Sequence, residues 1–129
     1  MRNWMQNTLW VAMPAELQQA IKTVIKESDN GFFVSTIRET EDTLWLPSDR
    51  ELNCENTGLV LAGQGEPYAV YTDASSRKKQ NAGGGLKLYW TRSSGREGQH
   101  YYRYIDSQGN PGNLGAASQN LGIAFGFCI

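Results

Sequence analysis

The stretch Asp42-Thr-Leu-Trp-Leu-Pro-Ser-Asp-Arg-Glu-Leu52 is the part of the chain around which the fold is expected to form. Its apolar segment, residues 44–46, is typical of a short buried strand. Pro47 ends that strand because proline cannot donate a ladder hydrogen bond. Ser48 and Glu51 have the spacing of a capping box, in which each side chain accepts a hydrogen bond from the other residue's N–H. We therefore predict a buried strand that leads directly into a short capped helix.

The length of the chain indicates one small domain, and its charge and hydropathy argue against two classes of partner. The 129 residues suffice for a single core but not for two, so residues 1–129 are predicted to be one domain. A net charge of −1 gives no basic surface for nucleic acid. No apolar run approaches the roughly 18 residues of a membrane span, and the N-terminus shows no secretion-signal pattern. We expect neither nucleic-acid binding nor membrane insertion.

A long amphipathic helix is predicted in the N-terminal part of the chain. Pro14 suits its first turn, and Glu16 suits the positive end of the helix dipole. Residues 29–31, Asp-Asn-Gly, can supply a left-handed cap at its end. Apolar residues recur at helical spacing along one face: Leu17, Ile21, Val24 and Ile25. The region after this helix, Phe32 to Glu41, fits either a strand or a loop.

The C-terminal half reads as β-structure. Strands are predicted from Leu86 to Arg92, from His100 to Asp106 and from Asn120 to Phe127, separated by turns rich in Gly, Ser and Asn. Period-two alternation in the second strand puts Arg103 and Ile105 on one face, and Tyr102 and Tyr104 on the other. Together with the predicted helices, these strands indicate an α+β fold with a small mixed or antiparallel sheet.

Three motifs in chain order carry a resemblance to a known fold family. They are Leu44-Trp-Leu-Pro-Ser-x-x-Glu-Leu52, Trp90-Thr-Arg-Ser-Ser94 and Gly122-Ile-Ala-Phe-Gly-Phe-Cys-Ile129. They resemble the corresponding segments of proteins with the formylglycine-generating-enzyme variant of the C-type lectin fold. They are more similar still to an uncharacterised domain family of gut Firmicutes and their phages. Members of that family carry the motifs D-x-L-W/F-L-x-S-x-x-E, W-x-R-S and G-x-x-F-G-F-C, in this order. The resemblance extends from about Trp4 to Ile129.

The resemblance implies a C-type-lectin-like fold and a surface location. The same fold occurs in the variable proteins of diversity-generating retroelements, which place their mutable residues near such a C-terminus. We expect residues 1–129 to be the C-terminal domain of a longer protein on a phage virion or a bacterial cell surface.

The sequence offers little chemistry for catalysis or for metal binding. The single histidine, His100, has no nucleophile near it in sequence. Glu66-Pro67 is followed by Tyr68, so the motif of Ca²⁺-dependent sugar-binding lectins is incomplete. Cys128 lacks the second late cysteine of the formylglycine-generating enzymes. We therefore predict no catalytic residue, no metal site and no cofactor.

Cys54 and Cys128 are the only cysteines. Their number and spacing favour free thiols, and one disulfide between them stays open as the alternative.

A candidate recognition surface lies between Trp90 and Asn120. Tyrosines supply large and stiff contact area there, and Ser, Asn and Gly supply adaptable hydrogen bonds, which is the composition of evolved binding surfaces. Trp90, Ile105, Ile123 and Phe125 are expected to hold the sheet beneath it. The predicted ligand-binding residues are Ser94, Arg96, Gln99, His100, Tyr102, Tyr104, Asn110 and Asn113.

Two functions follow as hypotheses. In the first, the chain is a non-enzymatic receptor-recognition module that binds a protein or glycan on a bacterial or host surface, and it is a candidate variable protein of a diversity-generating retroelement. In the second, it is a structural domain that oligomerises within a virion or cell-surface fibre. The tyrosines would then only cover the sheet.

Overall fold

The computed structural model describes residues 1–31, 36–54, 64–95, 101–115 and 120–129. These residues form a mixed α+β structure with short elements. The helical part consists of α1 (Arg2–Trp4), a π-helical turn (Met5–Leu9), α2 (Ala15–Ala20) and a 3-10 turn (Ser75–Arg77). The strands are β1 (Val24–Asp29), β2 (Ile37–Asp42), β3 (Lys79–Gln80), β4 (Leu86–Lys87), β5 (Tyr89–Ser94), β6 (Tyr101–Ile105), β7 (Pro111–Gly115) and β8 (Gly122–Ile123).

The strands of the described residues form one larger sheet and two two-stranded sheets. The larger sheet has the order β7-β6-β5-β8, in which β8 runs parallel to β5 and the other neighbours are antiparallel. Strands β1 and β2 pair along their whole length, from Val24 opposite Asp42 to Asp29 opposite Ile37. The predicted α+β class with a small mixed sheet is therefore confirmed.

The predicted long amphipathic helix is wrong. Helix α2 begins after Pro14 with Glu16 in its first turn, as expected, but it ends at Ala20, and Ile21 is already extended. Val24 and Ile25, which were assigned to the helix, lie in β1. Both are β-branched, and six pairs with β2 stabilise the extended conformation over the helical one. Gly31 does adopt a left-handed φ of 109°, but it follows a strand.

The corner at Ser48 forms the predicted capping box. The Glu51 N–H donates to Ser48 Oγ at 3.0 Å, and the Ser48 N–H donates to Glu51 Oε2 at 3.1 Å. The box caps a single turn, in which the Leu52 N–H donates to the Ser48 carbonyl at 3.0 Å. Asn53 has a φ of +51°, so the chain leaves the helical conformation there, and the short helix predicted after Ser48 is absent from residues 49–54.

The stretch 42–52 contributes to both core clusters. The first cluster has the buried residues Met5, Ile21, Leu44, Leu46 and Trp90. The second has Leu52, Cys54, Tyr89 and Ile105. Trp45, in the middle of the predicted buried segment 44–46, is 7% exposed, and its backbone exchanges two hydrogen bonds with Gly126. The C-terminal segment therefore closes against the stretch from which the fold was predicted.

The C-terminal strands largely follow the sequence pattern. The predicted strand from Leu86 to Arg92 is divided into β4 and β5, which lie in different sheets. The one from His100 to Asp106 is present as β6 over Tyr101–Ile105, and the one from Asn120 to Phe127 is limited to β8. Arg103 and Ile105 are buried on one face of β6, as the alternation predicts. Phe125, expected beneath the sheet, is instead 36% exposed. Residues 32–35, where the sequence fits either a strand or a loop, lie outside the described residues.

Candidate functional site

A buried carboxylate, Glu51, joins three parts of the chain. Its Oε1 accepts a hydrogen bond from Lys26 Nζ at 2.6 Å, and its Oε2 accepts from Arg92 Nη1 and from the Ser48 N–H. The Glu51 side chain is 1% exposed. Burial raises the pKa of Glu51, but the hydrogen bond and charge of Arg92, together with the hydrogen bonds of Lys26 and the Ser48 N–H, outweigh it, so the net pKa lies below its ordinary value.

A second buried ion pair lies beside it. Arg103 Nε donates to Asp49 Oδ2 at 2.5 Å, and the Thr91 hydroxyl donates to Asp49 Oδ1 at 2.9 Å. Burial raises the pKa of the Asp49 carboxyl, and the charge of Arg103 opposes that effect. The Asp49 N–H donates to Ser93 Oγ, so the pair is connected to a further chain of polar side chains.

This chain of polar groups reaches the β1–β2 hairpin. Ser93 Oγ donates to Gln64 Oε1 at 2.6 Å, and Gln64 Nε2 donates to Asp29 Oδ2 at 2.6 Å. Arg92 Nε donates to the Glu27 carbonyl at 3.0 Å. The hairpin is thus fixed to β5 by charge-assisted hydrogen bonds, which are stronger than neutral ones. We call the linked groups of Lys26, Asp29, Asp49, Glu51, Gln64, Arg92 and Arg103 the polar hub.

A cleft of about 700 Å³ opens between α1, the β1–β2 hairpin and the neighbouring strands β5 and β6. Its apolar lining includes Leu44, Leu46 and Trp90, which belong to the first core cluster. Trp4 and Tyr102, which are 46% and 44% exposed, also line it. The Tyr102 ring meets the Trp90 ring edge to face, with centroids 6.2 Å apart. The cleft therefore offers accessible aromatic area over an apolar floor.

One side of the cleft is polar. Arg38, Thr40 and Asp42 alternate along β2 and share the face that lines the cleft. Arg2 Nε donates to Asp42 Oδ1 at 2.5 Å, so these two charges compensate each other. The Arg38 side chain is exposed and makes no hydrogen bond or ion pair within the described residues. Asp29 is half-buried, and its Oδ2 also accepts from the Ser94 N–H at 3.1 Å.

The structure brings two of the predicted binding residues together, because Ser94 and Tyr102 both line the cleft. The other described ones lie apart from its lining. Tyr104 packs against the first core cluster, the Asn110 N–H donates to Asp106 in a turn, and Asn113 Oδ1 accepts from Arg103 at 3.1 Å. The remaining predicted residues, Arg96, Gln99 and His100, lie outside the described residues.

Sequence reasoning missed the N-terminal side of the cleft. Trp4, Asp29 and Arg38 line it, although the predicted site lay wholly in the C-terminal half. The alternation Arg38-x-Thr40-x-Asp42 was a usable signal, because it places polar side chains on one face of a strand. The alternation alone does not identify the site, because the region from Phe32 to Glu41 fits a loop as well as a strand.

Metal and thiol chemistry have little support in the described part of the chain. Among those residues there is no group of three or more His, Cys, Asp or Glu side chains arranged to hold a metal ion. Cys54 and Cys128 are both free. Burial raises the pKa of the Cys54 thiol to about 12, which makes it unreactive at neutral pH. No helix within the described ranges has the length and apolar character to cross a membrane.

The chain belongs to a protein family described as "Domain of unknown function (DUF6273)", whose model matches residues 1–129. No curated protein matches the chain significantly, and neither does any solved structure. The family description assigns no activity, so a function has to be inferred from the geometry of the cleft and its surroundings.

Proposed function

We propose that this chain is a non-enzymatic ligand-binding module of a phage or bacterial surface protein, with its ligand bound in the cleft. The observation that carries the proposal is the combination of two half-exposed aromatic rings, Trp4 and Tyr102, with an apolar floor in a space of about 700 Å³. Cavities of this size, lined by apolar groups with a few polar ones, are typical of ligand sites.

The polar hub supports this function because it holds the walls of the cleft in place. Asp29 is tied to Gln64 and to Ser94, and Arg92 is tied to the backbone of β1. A binding surface whose walls are already fixed loses less conformational entropy when it binds, so more of the contact energy appears as affinity.

We further propose a C-type-lectin-like fold for the domain. The supporting observation is that the C-terminal segment closes onto the N-terminal half, where Gly126 pairs with Trp45 and Cys128 pairs with Lys22. The three motifs of the resemblance also lie in the corner at Ser48, in β5 and in this closing segment.

Diversification by a retroelement is part of the same proposal. Tyr102 is an exposed residue of the cleft, and exposed substitutions usually change stability by less than about 0.5 kcal/mol. Such a position can vary without unfolding the domain. A reverse transcriptase gene and a near-copy of the gene's 3′ end beside the coding region would support this part, and their absence would remove it.

The proposal is tested with fluorescently labelled protein and intact bacterial cells. Wild type should bind in a saturable manner to the cells that carry its receptor, and the double variant Trp4→Ala/Tyr102→Ala should lose most of that binding. Val70→Ala is the matched control, because Val70 is 69% exposed and does not line the cleft. Equal binding by wild type and the double variant, with all three proteins folded, would rule out the cleft as the binding site.

An assembly role is the second candidate function, and a separate observation favours it. Phe125, Phe127 and Ile129 alternate along the C-terminal segment and are 36%, 39% and 69% exposed. The two phenylalanine rings lie 6.3 Å apart, so they form one apolar surface. If this surface joins subunits, light scattering should show an oligomer that the variant Phe125→Ser/Phe127→Ser converts to a monomer. A monomeric wild type would exclude this role.

A further inference from the structure

We infer that the cleft binds a small amphipathic organic acid, in which one carboxylate is joined to an apolar body, and that Arg38 holds the carboxylate. This inference rests on the proposed function and names the chemical class of the ligand. It follows from the sign of the accessible charge in the cleft and from the exposed aromatic rings beside that charge.

The accessible charges of the cleft belong to arginines. The side chain of Arg2 is 48% exposed and that of Arg38 is exposed, whereas Asp42 is only 5% exposed. Asp29 is half-buried, and its carboxylate already accepts three hydrogen bonds from within the protein. A ligand that enters the cleft therefore meets guanidinium groups, which can donate hydrogen bonds but cannot accept them.

The cleft and the carboxylate beneath it also carry an excess of positive charge. Glu51 is shared by Lys26 and Arg92, so one acid there faces two cations. Met1 also lines the cleft, and a free amino group there would add to the excess. The whole chain, in contrast, has a net charge of −1. Without Met1, the group contains four cationic and three acidic side chains: Arg2, Lys26, Arg38 and Arg92 against Asp29, Asp42 and Glu51.

Arg38 is the cation in this group whose charge is not compensated. Within the described residues, its side chain makes no hydrogen bond and no ion pair. Asp42, on the same face of β2, is four residues away, which is roughly 13 Å along a strand, and it is already paired. The strand register places Asp29 on the opposite face of the hairpin. Charges at such distances are largely screened, because the Debye length is about 8 Å at physiological ionic strength.

A carboxylate is the group that suits this guanidinium best. Two parallel N–H groups of an arginine match the two oxygens of a carboxylate, and this bidentate pairing is stronger than a neutral hydrogen bond. A cationic ligand would be repelled, and a purely apolar ligand would remove Arg38 from water without a partner. A nucleic acid needs a series of unpaired cations. The ligand therefore carries a single anionic group.

The aromatic rings of the cleft define the rest of the ligand. Trp4 and Tyr102 line the same cleft as Arg38 and are 46% and 44% exposed. Their ring faces provide a large apolar contact area, and the edge-to-face contact with Trp90 holds the Tyr102 ring in place. The volume of about 700 Å³ lies within the range of small-molecule sites. An apolar body on the rings and a carboxylate on Arg38 would use both features together.

The inference is tested with octanoate, octanol and octylammonium, which share one alkyl chain and differ in charge. Each is titrated below its micelle-forming concentration into ¹⁵N-labelled protein, and the indole N–H signals of the tryptophans are followed. Trp4→Phe identifies the Trp4 signal. Octanoate should shift that signal in a saturable manner and bind about tenfold more tightly than octanol, as expected for one charge-assisted contact. Octylammonium should bind more weakly than octanol.

The variant Arg38→Gln decides whether Arg38 holds the carboxylate. It should lower the affinity for octanoate about tenfold and leave the affinity for octanol unchanged, because it removes the charge and keeps a polar side chain. A merely structural role of Arg38 would weaken the binding of both probes. The control is Arg50→Gln, because Arg50 pairs with the exposed Glu66 and does not line the cleft. Octanoate binding that is absent, no tighter than octanol binding, or equal in the two variants would overturn the inference.

Competition on cells tells failure of the inference apart from failure of the proposed function. Excess octanoate should release the labelled protein from its cells, and excess octylammonium should not. If octanoate binds through Arg38 but releases no protein, the ligand class stands and receptor binding in the cleft is wrong. If octanoate does not bind but cell binding still depends on Trp4 and Tyr102, the ligand class is wrong and the ligand-binding function stands. If cell binding is also independent of these two rings, both proposals are wrong.

Discussion

Replacing Glu51 by Gln should remove a large part of the stability of this domain. The carboxylate accepts hydrogen bonds from Lys26, Arg92 and the Ser48 N–H, and it is 1% exposed. A glutamine has one oxygen instead of two, and its NH₂ group would face donors that now bind a carboxylate. The side chains of Lys26 and Arg92 are only 14% and 10% exposed, so they would be left largely buried without their counter-charge.

The expected loss is about 3–5 kcal/mol, which is typical when one partner of a buried ion pair is removed. Small domains unfold with a free energy of only about 5–15 kcal/mol, so the urea midpoint should fall markedly. Tryptophan fluorescence can follow the transition. Glu66→Gln is the matched control, since Glu66 is 85% exposed in its pair with Arg50 and should change stability by less than about 0.5 kcal/mol.

The pH dependence provides an independent check on the same carboxylate. The folded-state pKa of Glu51 lies below its ordinary value of 4.5, so the unfolded chain binds the proton first as the pH falls. The contribution of Glu51 is therefore complete above pH 4.5 and is lost as the pH drops through the folded-state pKa. The gap between wild type and Glu51→Gln should shrink from pH 7 to pH 3. A loss below about 1 kcal/mol at pH 7, or a gap independent of pH, would refute the role of the hub.

Three further predictions concern the two tyrosines Tyr102 and Tyr104, the two thiols and the effect of metal ions. Tyr102→Ala should change the free energy of unfolding by less than about 0.5 kcal/mol, because the Tyr102 ring is half-exposed. Tyr104→Ala should lower the free energy of unfolding by about 1–3 kcal/mol, because the Tyr104 ring packs on the core. Urea denaturation measures both, and equal losses would contradict this assignment. Ellman's reagent at pH 8 should react with the half-buried Cys128 in the folded protein and with the buried Cys54 only after unfolding. Rapid reaction of both thiols in the folded protein would show that Cys54 is accessible. Thermal unfolding in EDTA and in millimolar Ca²⁺ should coincide, and an upward shift with Ca²⁺ would indicate a metal site.

The hub also explains why part of the site was predicted and part was not. Ser94 and Tyr102 belong to strands with clear alternation, so their placement on an accessible face could be inferred from the sequence. Arg38 joins them only because the hairpin packs across β5 through long-range contacts, and Trp4 joins them because Arg2 of α1 pairs with Asp42 of β2. Asp29 and Ser94, for example, are far apart in the chain and share a hydrogen bond of 3.1 Å. Nothing local to either residue encodes that contact.

The sequence by itself determined the features that depend on neighbouring residues. The capping box of Ser48 and Glu51, the burial of Leu44 and Leu46 and the strand at Tyr101–Ile105 all arise from spacing within a few positions. The tertiary structure alone decided the conformation of Val24–Asp29. Its apolar spacing fits a helix, but pairing with Ile37–Asp42 and the bond from Lys26 to Glu51 hold it as a strand. Local preferences amount to tenths of a kcal/mol per residue, so a set of cross-strand bonds and a buried ion pair is enough to override them.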